Sequence, residues 1–404
     1  NAVSAVGGFS GTGRFAQVSG FSFLYDVQGV AQTVDENENV VTPGTRIIDI
    51  TLDDGTVIVA DGAVVAGAPA ITVATNDFSA RGGDQYPFRG HPFTTVGVTY
   101  QQALANYLVD GLGGIISAAQ YPEGGEGRIA VVAPIPAIQG AGHISPFVGQ
   151  EVTTVGVVTA VAFNGYYVQD PVGDGDPATA DGLFVFKTGS KPEIGDLVQL
   201  TDTVTEFIPG GAATGNLSTT QLSFPDVVEL GSAPLPAPTI IGTGGRVPPN
   251  EVVITADELP VNLQNDPGEF NPEVDGIDFY ESLEGMLVTV QDTVAISATR
   301  TFSGFSSELF VLADNGAGVA PTDARTARGG INLQPSLTNT GDQNPERVQI
   351  QFDGTLYPFA VPAVTVGDRL GDVTGVVGYS FGNFEVNAVE EITVVPGGLA
   401  PETS

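Results

Sequence analysis

Val148-Gly-Gln-Glu-Val-Thr-Thr-Val-Gly-Val-Val158 runs on to Tyr166-Tyr-Val-Gln-Asp170, and Glu284-Gly-Met-Leu-Val-Thr-Val-Gln-Asp-Thr-Val294 runs on to Leu309-Phe-Val-Leu-Ala-Asp314. Each is a long β-rich run followed by a shorter one that ends in Asp. Further along, Ile194-Gly-Asp-Leu-Val198 is echoed by Val366-Gly-Asp-Arg-Leu370, and the stretch from Thr219 to Glu229 by that from Phe384 to Val395. Helical periodicity is absent here, and Gly/Pro turns recur about every ten residues, the spacing of sandwiches and barrels. Four runs in the same order predict two small five-stranded β-domains, at 134–231 and 281–396, each opening with a long bent strand. The Pro-, Asn- and Asp-rich segment 232–280 reads as an elaborated connection. Ala130 to Ile138, with two prolines, reads as a linker.

The first third of the chain has a different texture. Phe15 to Asp26 is strand-like, Asp35-Glu-Asn-Glu-Asn39 is a polar hairpin tip, and Asp53-Asp-Gly55 is a hairpin signal between Arg46–Leu52 and Val57–Val59. Ala70-Ile-Thr-Val-Ala74 reads as a buried strand. Thr99 is placed as an N-cap with Gln102 three residues on, and Leu104, Tyr107 and Leu108 follow at helical spacing as core positions until Gly111 and Gly113. The expected fold class is therefore an α+β N-terminal domain over 1–133, followed by a mainly-β region with two barrels of OB type.

Composition excludes several classes of function. Of 404 residues, 47 are acidic and 13 basic, for a formal charge of −34. Such a surface repels phosphate backbones and disfavours broad nucleic-acid binding. The absence of Cys excludes disulfides and zinc–thiolate sites, and two histidines, His91 and His143, are too few for a histidine-rich metal centre. No apolar run reaches about 18 residues, so no helical membrane span is expected. There is no nucleophile elbow, P-loop or dinucleotide fingerprint.

Four groups of residues remain as candidates for chemistry. In Thr75-Asn-Asp-Phe-Ser-Ala-Arg-Gly-Gly-Asp-Gln-Tyr-Pro-Phe88, the glycine pair Gly82-Gly83 allows a tight turn that brings Phe78 and Asp84 onto one wall. A ring beside a fixed carboxylate suits a nucleoside; the plain alternative is a strand-to-turn corner. Asp170, Asp174, Asp176 and Asp181 lie in a Gly-rich loop and suit a hard cation such as calcium, although Asp-Gly repeats are also ordinary turns. The run Asp266, Glu269, Glu273, Asp275, Asp278, Glu281 reads as a solvated face, and His143 as packing on a barrel entrance. Arg325, Arg328 and Arg347 suit a phosphate, a neighbouring domain or internal ion pairing.

Asn76-Asp-Phe-Ser-Ala-Arg-Gly-Gly-Asp84 resembles the N-F-x-x-x-G-G-D-G-[YF] signature of the 5′-nucleotidase C-terminal domain. Phe15-Ala-Gln-Val-Ser-Gly20 with Phe21-Ser-Phe-Leu-Tyr-Asp26, and Glu126-Gly-Arg-Ile129, resemble two further motifs of that domain in the right order. The resemblance implies that Phe78 stacks on a base, that Asp84 holds the ribose, and that Asn76 belongs to the same nucleoside site. Gln85 departs from the usual Gly, and the family's partner aromatic and phosphate-facing arginines fall upstream of Thr12.

A second resemblance covers about 140 to 395. Ile138-Gln-Gly-Ala-Gly-His-Ile-Ser-Pro146, Tyr167-Val-Gln-Asp-Pro171, Gly173-Asp-Gly-Asp-Pro-Ala-Thr-Ala-Asp-Gly-Leu-Phe-Val185 and Asp278-Phe-Tyr-Glu-Ser-Leu-Glu-Gly-Met-Leu-Val288 resemble the OB-like region of secreted bacterial nucleases. In those proteins this region precedes an endonuclease/exonuclease/phosphatase domain. Together the resemblances imply a non-catalytic segment of a secreted or cell-surface bacterial phosphoesterase, with 397–404 leading to a further domain. Its partners would be a weakly held nucleoside or nucleotide, and the metallophosphoesterase and nuclease domains of the same precursor, which would carry the catalytic metals. The competing expectation is an extracellular structural protein that assembles through strand edges or calcium bridges.

Overall fold

The computed structural model describes residues 18–26, 29–35, 39–82, 86, 88, 91–117, 129–254, 270–303, 306–320, 324–332 and 344–399. It is mostly β-sheet with few and short helices. Packing divides it into two units, Asn1–Ala133 with Gly149–Thr153, and Pro134–Val148 with Thr154–Ser404. No helix among the described residues is long and apolar enough to cross a membrane.

In the first unit, β1 (Phe21–Asp26) turns Phe23 and Tyr25 inward, as period-2 alternation requires. A short hairpin, β2 (Thr33–Val34) and β3 (Val40–Thr42), is closed by Asp35, whose carboxylate accepts from the Asn39 backbone N–H at 2.9 Å. β4 (Ile47–Leu52) lies antiparallel to β1, and β5 (Val57–Ala60) and β6 (Ala63–Val64) continue the sheet by hairpins. Gly55 supplies the left-handed turn at φ +86° between β4 and β5. Beyond β6 come α1 (Asp77–Ala80) and α2 (Tyr100–Asn106). β7 (Ile129–Val132) then returns to lie parallel to β1.

Two expectations fail in this unit. Ala70–Ala74 is not a strand and is exposed, because β-propensity without a neighbouring strand to pair with does not make one. α2 is capped as expected, with Thr99 Oγ1 accepting from Gln102 N at 3.1 Å, but it buries no residue. Leu104 and Tyr107, expected in the core, are more than half exposed.

The supposed linker is also ordered. Its first half is β7, and its second is α3 (Ile135–Gln139), which buries Ile135 and Ile138 completely in the second unit. Pro134 is the N-cap and Pro136 sits in the first turn, where a missing N–H costs no helical hydrogen bond.

The second unit holds two closed circuits of strand pairing. The first consists of β8 (Glu151–Ala162), β9 (Gly165–Gln169), β10 (Gly182–Phe186), β11 (Asp196–Thr203), β12 (Thr205–Phe207), β13 (Thr219–Ser223) and β14 (Asp226–Ser232). β8 pairs with β9 and β9 with β10, both antiparallel. β10 pairs with β13 in parallel, while β14, the continuation of β13, pairs antiparallel with β11, which returns to β8. β12 adds to the free edge of β13.

After β15 (Thr239–Ile241) and α4 (Gly276–Glu281), the second circuit repeats the plan. Its strands are β16 (Leu287–Ala295), β17 (Arg300–Ser303), β18 (Ser306–Leu312), β19 (Val348–Asp353), β20 (Arg369–Ser380) and β21 (Asn383–Ala388). Pairing runs β16–β18–β19–β21–β20–β16, with β19–β21 as the one parallel step. Each opening strand is bent by a register slip, at Val158/Ala160 in β8 and at Val290/Thr293 in β16.

The repeat extends to single turns. Gly195 (φ +93°) donates to the Val158 carbonyl, and Gly367 (φ +87°) donates to that of Ala295. The next residues, Asp196 and Asp368, each accept from the backbone N–H three residues back, Glu193 and Thr365, both at 2.8 Å. The two circuits pack in one unit through Ala160, Tyr167, Leu287, Leu356 and Val376, and Gln169 Oε1 accepts from Leu287 N at 2.8 Å.

At that junction Gly182 lies directly against the backbone of Gly285 and Met286. A Cβ at position 182 meets main chain, which cannot swing aside as a side chain can. Gly182→Ala is expected to lower the unfolding free energy by about 3 kcal/mol or more. Gly318→Ala, where an added Cβ meets nothing, is expected to change it by less than about 0.5 kcal/mol. Urea unfolding of the two variants checks this, and equal midpoints would refute the close contact.

Candidate functional site

Two of the quoted motifs meet in the interior of the second unit. Ile138–Pro146 delivers Gln139, His143 and Ser145, and α4 with the turn after it delivers Asp278, Glu281 and Glu284 at every third position. Helical backbone turns Asp278 and Glu281 to one side. His143 Nε2 is 2.7 Å from Asp278 Oδ1, and Nδ1 is 3.0 Å from Glu281 Oε2. Ionised carboxylates only accept, so both ring nitrogens donate and the ring is an imidazolium. His143, Asp278 and Glu281 are at most 5 % exposed. Phe270 meets the ring edge-on at 5.4 Å between centroids.

The surroundings are polar, and the two motifs are tied there to neighbouring strands. Gln139 Nε2 donates to the Gly182 carbonyl at 2.6 Å and to Glu284 Oε1 at 3.4 Å. Glu284 Oε1 also accepts from Thr220 N, and Glu206 Oε1 accepts from Ser145 N and Thr220 Oγ1. Asp278 Oδ2 accepts from Asn271 N at 2.6 Å. Burial pulls the His143 pKa down, but the hydrogen bonds and charges of Asp278 and Glu281 outweigh it and lift it to about 10. Burial, then the charges of Glu281 and Glu206, push the Glu284 pKa well up. Burial likewise raises Glu206.

This network corrects two readings. The second half of the acidic run is not a solvated face, since Asp275, Asp278 and Glu281 are buried; Glu273 is exposed as expected, and Asp266 and Glu269 lie outside the described residues. His143 is an enclosed cation rather than a ring at an entrance. The signal was present in the sequence, as an acidic residue at every third position among Phe279, Tyr280, Leu283 and Met286. That pattern puts charge on a face flanked by core residues.

The residues expected to bind ligands are placed differently. Asn76 caps α1, its Oδ1 accepting from Ser79 N at 2.8 Å. Phe78 is 59 % exposed on that helix, and Asp84 lies outside the described residues. A cavity of about 470 Å³ opens beside them, lined by Ala80, Arg81, Gly82, Phe88, His91, Pro92 and Phe93. The Arg81 guanidinium sits 5.1 Å from the Phe93 ring centroid.

In the aspartate loop, Asp170 accepts from Val172 N and Gly173 N, Asp174 from Asp176 N and Thr179 Oγ1, and Asp176 from Ala178 N. Burial, then Asp174 and Asp170, raise the Asp181 pKa to about 6. Among the described residues, no group of three or more His, Asp or Glu side chains is arranged to hold a metal ion.

Against known proteins, a domain family of unknown function (DUF8508) matches residues 240–397. That span contains α4 and the second circuit. No curated protein matches the chain. A deletion mutant of the single-stranded DNA binding protein from Thermus aquaticus is similar at 11 % identity, over 63 % of this chain and 97 % of that one, with a TM-score of 0.16. A superposition that poor carries no argument.

The electrostatics of His143 have a direct consequence. Its folded pKa lies above the unfolded value of 6.5, so the native state holds an extra proton between the two. The stabilisation is complete below pH 6.5 and is lost as pH rises towards about 10. His143→Leu leaves two buried carboxylates facing each other and is expected to cost about 3–5 kcal/mol at pH 6. Urea unfolding from pH 6 to 10 should show wild type losing more stability than His143→Leu; parallel curves would refute a buried imidazolium.

Proposed function

We propose that the chain is a non-catalytic recognition and spacing segment of a secreted bacterial phosphoesterase that acts on nucleotides or nucleic acids. The observation that carries this is the burial of the His143 cluster. Of the two histidines, His143 is buried and locked between carboxylates, and His91 stands exposed on the rim of a cavity. A phosphoester hydrolase of the two-metal kind needs open, clustered His, Asp and Asn ligands, so the chemistry belongs to other domains.

The strand circuits support two OB-like barrels: a ring of five strands each, with β13 and β14 counted as one, a long bent first strand, and a parallel pairing between the third and fifth. The motifs of the first third support a 5′-nucleotidase C-terminal-like domain over 1–133, in which Phe78 offers an exposed ring to a base. High negative charge argues against gripping a polyanion through the barrels, because OB surfaces that bind single strands pair stacking rings with a basic groove.

The purified chain, supplied with divalent metal, is expected to release no phosphate from AMP; release would overturn the proposal. Titration with adenosine should give a small saturable heat that Phe78→Ala removes, and equal heats in the two proteins would remove the nucleoside site.

A further inference from the structure

A cavity of about 360 Å³ lies at the end of the second circuit, lined by Asn315, Arg325, Gly367, Arg369, Val395 and Gly397 among others, and by no Asp or Glu. In a chain with 47 acidic and 13 basic residues, two arginines lining one cavity without a carboxylate run against composition. We propose that this cavity is a binding site for a small phosphate-class oxyanion.

The arginines are held, but they are not neutralised. Arg325 is half-buried between Asn315 and Gly329; one terminal nitrogen reaches the Asn315 carbonyl at 3.5 Å, and its Nε is buried without a hydrogen-bond partner. Gly316 makes room for it, since a Cβ there would collide with Nη1. Burial alone lowers the Arg325 pKa, which is the cost of desolvating a cation that has no counter-charge. Arg369 is exposed at the start of β20 and pairs by backbone with Val395. Among the described residues neither arginine makes an ion pair.

The carboxylates next in sequence to Arg369 and to Asn315 are already engaged. Asp368 accepts from Gly397 N and Thr365 N at 2.8 Å, and Asp314 accepts from Thr243 N at 2.8 Å. The planar fork of a guanidinium matches phosphate oxygens two at a time, so two of them around one cavity suit a terminal phosphate. The surrounding charge selects for size. A polyanion would bring many phosphates against a surface of formal charge −34, whereas a monoester or free phosphate brings one. The site does not involve the Phe78 segment, so either can fail alone.

The test is titration of the full chain, at low ionic strength, with inorganic phosphate, AMP and adenosine. Saturable phosphate binding is expected, weakened roughly tenfold or more by Arg369→Gln and by Arg325→Gln. Arg369 is exposed, so its variant keeps the fold, and circular dichroism monitors the Arg325 variant. AMP binding more tightly than phosphate would mark a nucleotide phosphate as the occupant, and equal binding a free oxyanion; both uphold the site. No saturable phosphate binding, or affinity unchanged in Arg369→Gln, would overturn it.

Discussion

The second unit depends on one buried cation. His143 arrives from the turn after α3, Asp278 and Glu281 from α4, and more than 130 residues of sequence separate them. Each carboxylate alone in that interior would have to be expelled or protonated, because the desolvation of an unpaired ion exceeds what packing returns. Between them the imidazolium supplies both donors, and Phe270 closes the remaining side. Loop-closure entropy over such a span is large, and only an interaction with this cost of being broken fixes which turn meets which helix.

Around that point, further buried side chains tie the strands together. Glu284 Oε1 accepts from both Gln139 Nε2 and the Thr220 backbone N–H, and burial with the charges of Glu281 and Glu206 raises its pKa. Gln139 reaches the carbonyl of Gly182, the residue whose backbone meets Gly285 and Met286. The His143 clamp and the glycine contact are thus parts of one junction. The side chains that orient it and the missing Cβ that permits it come from the same three stretches of sequence.

The repeated strand order was legible because it rests on period-2 patterning and on Gly-Asp turns, whose backbone needs are local. Gly195 and Gly367 must take positive φ, and the following Asp must cap the turn, so both leave a mark in the sequence. What failed depended on distant partners. Pro134 and Pro136 signalled a linker, yet the start of a helix tolerates them, and nothing local said that Ile135 and Ile138 would be buried. The acidic run looked solvated because charge is solvated unless a partner exists, and its partner His143 lies far away in the chain. Ala70–Ala74 had the propensity of a strand and no neighbour to pair with. Of the nucleoside residues, Asn76 is used by its own helix, and the ring of Phe78 is exposed.

The same reasoning separates the histidine from the arginines. Cations are scarce in this chain, and the interior has already shown how it treats one that serves the fold. His143 is enclosed and met by a carboxylate at each ring nitrogen. Arg325 and Arg369 receive the opposite treatment: a cavity, an unpartnered Nε, and carboxylates turned towards backbone donors instead of towards them. A protein with an excess of acidic side chains could neutralise these two groups by moving one Asp. That neither is neutralised separates charge kept for a ligand from charge spent on structure.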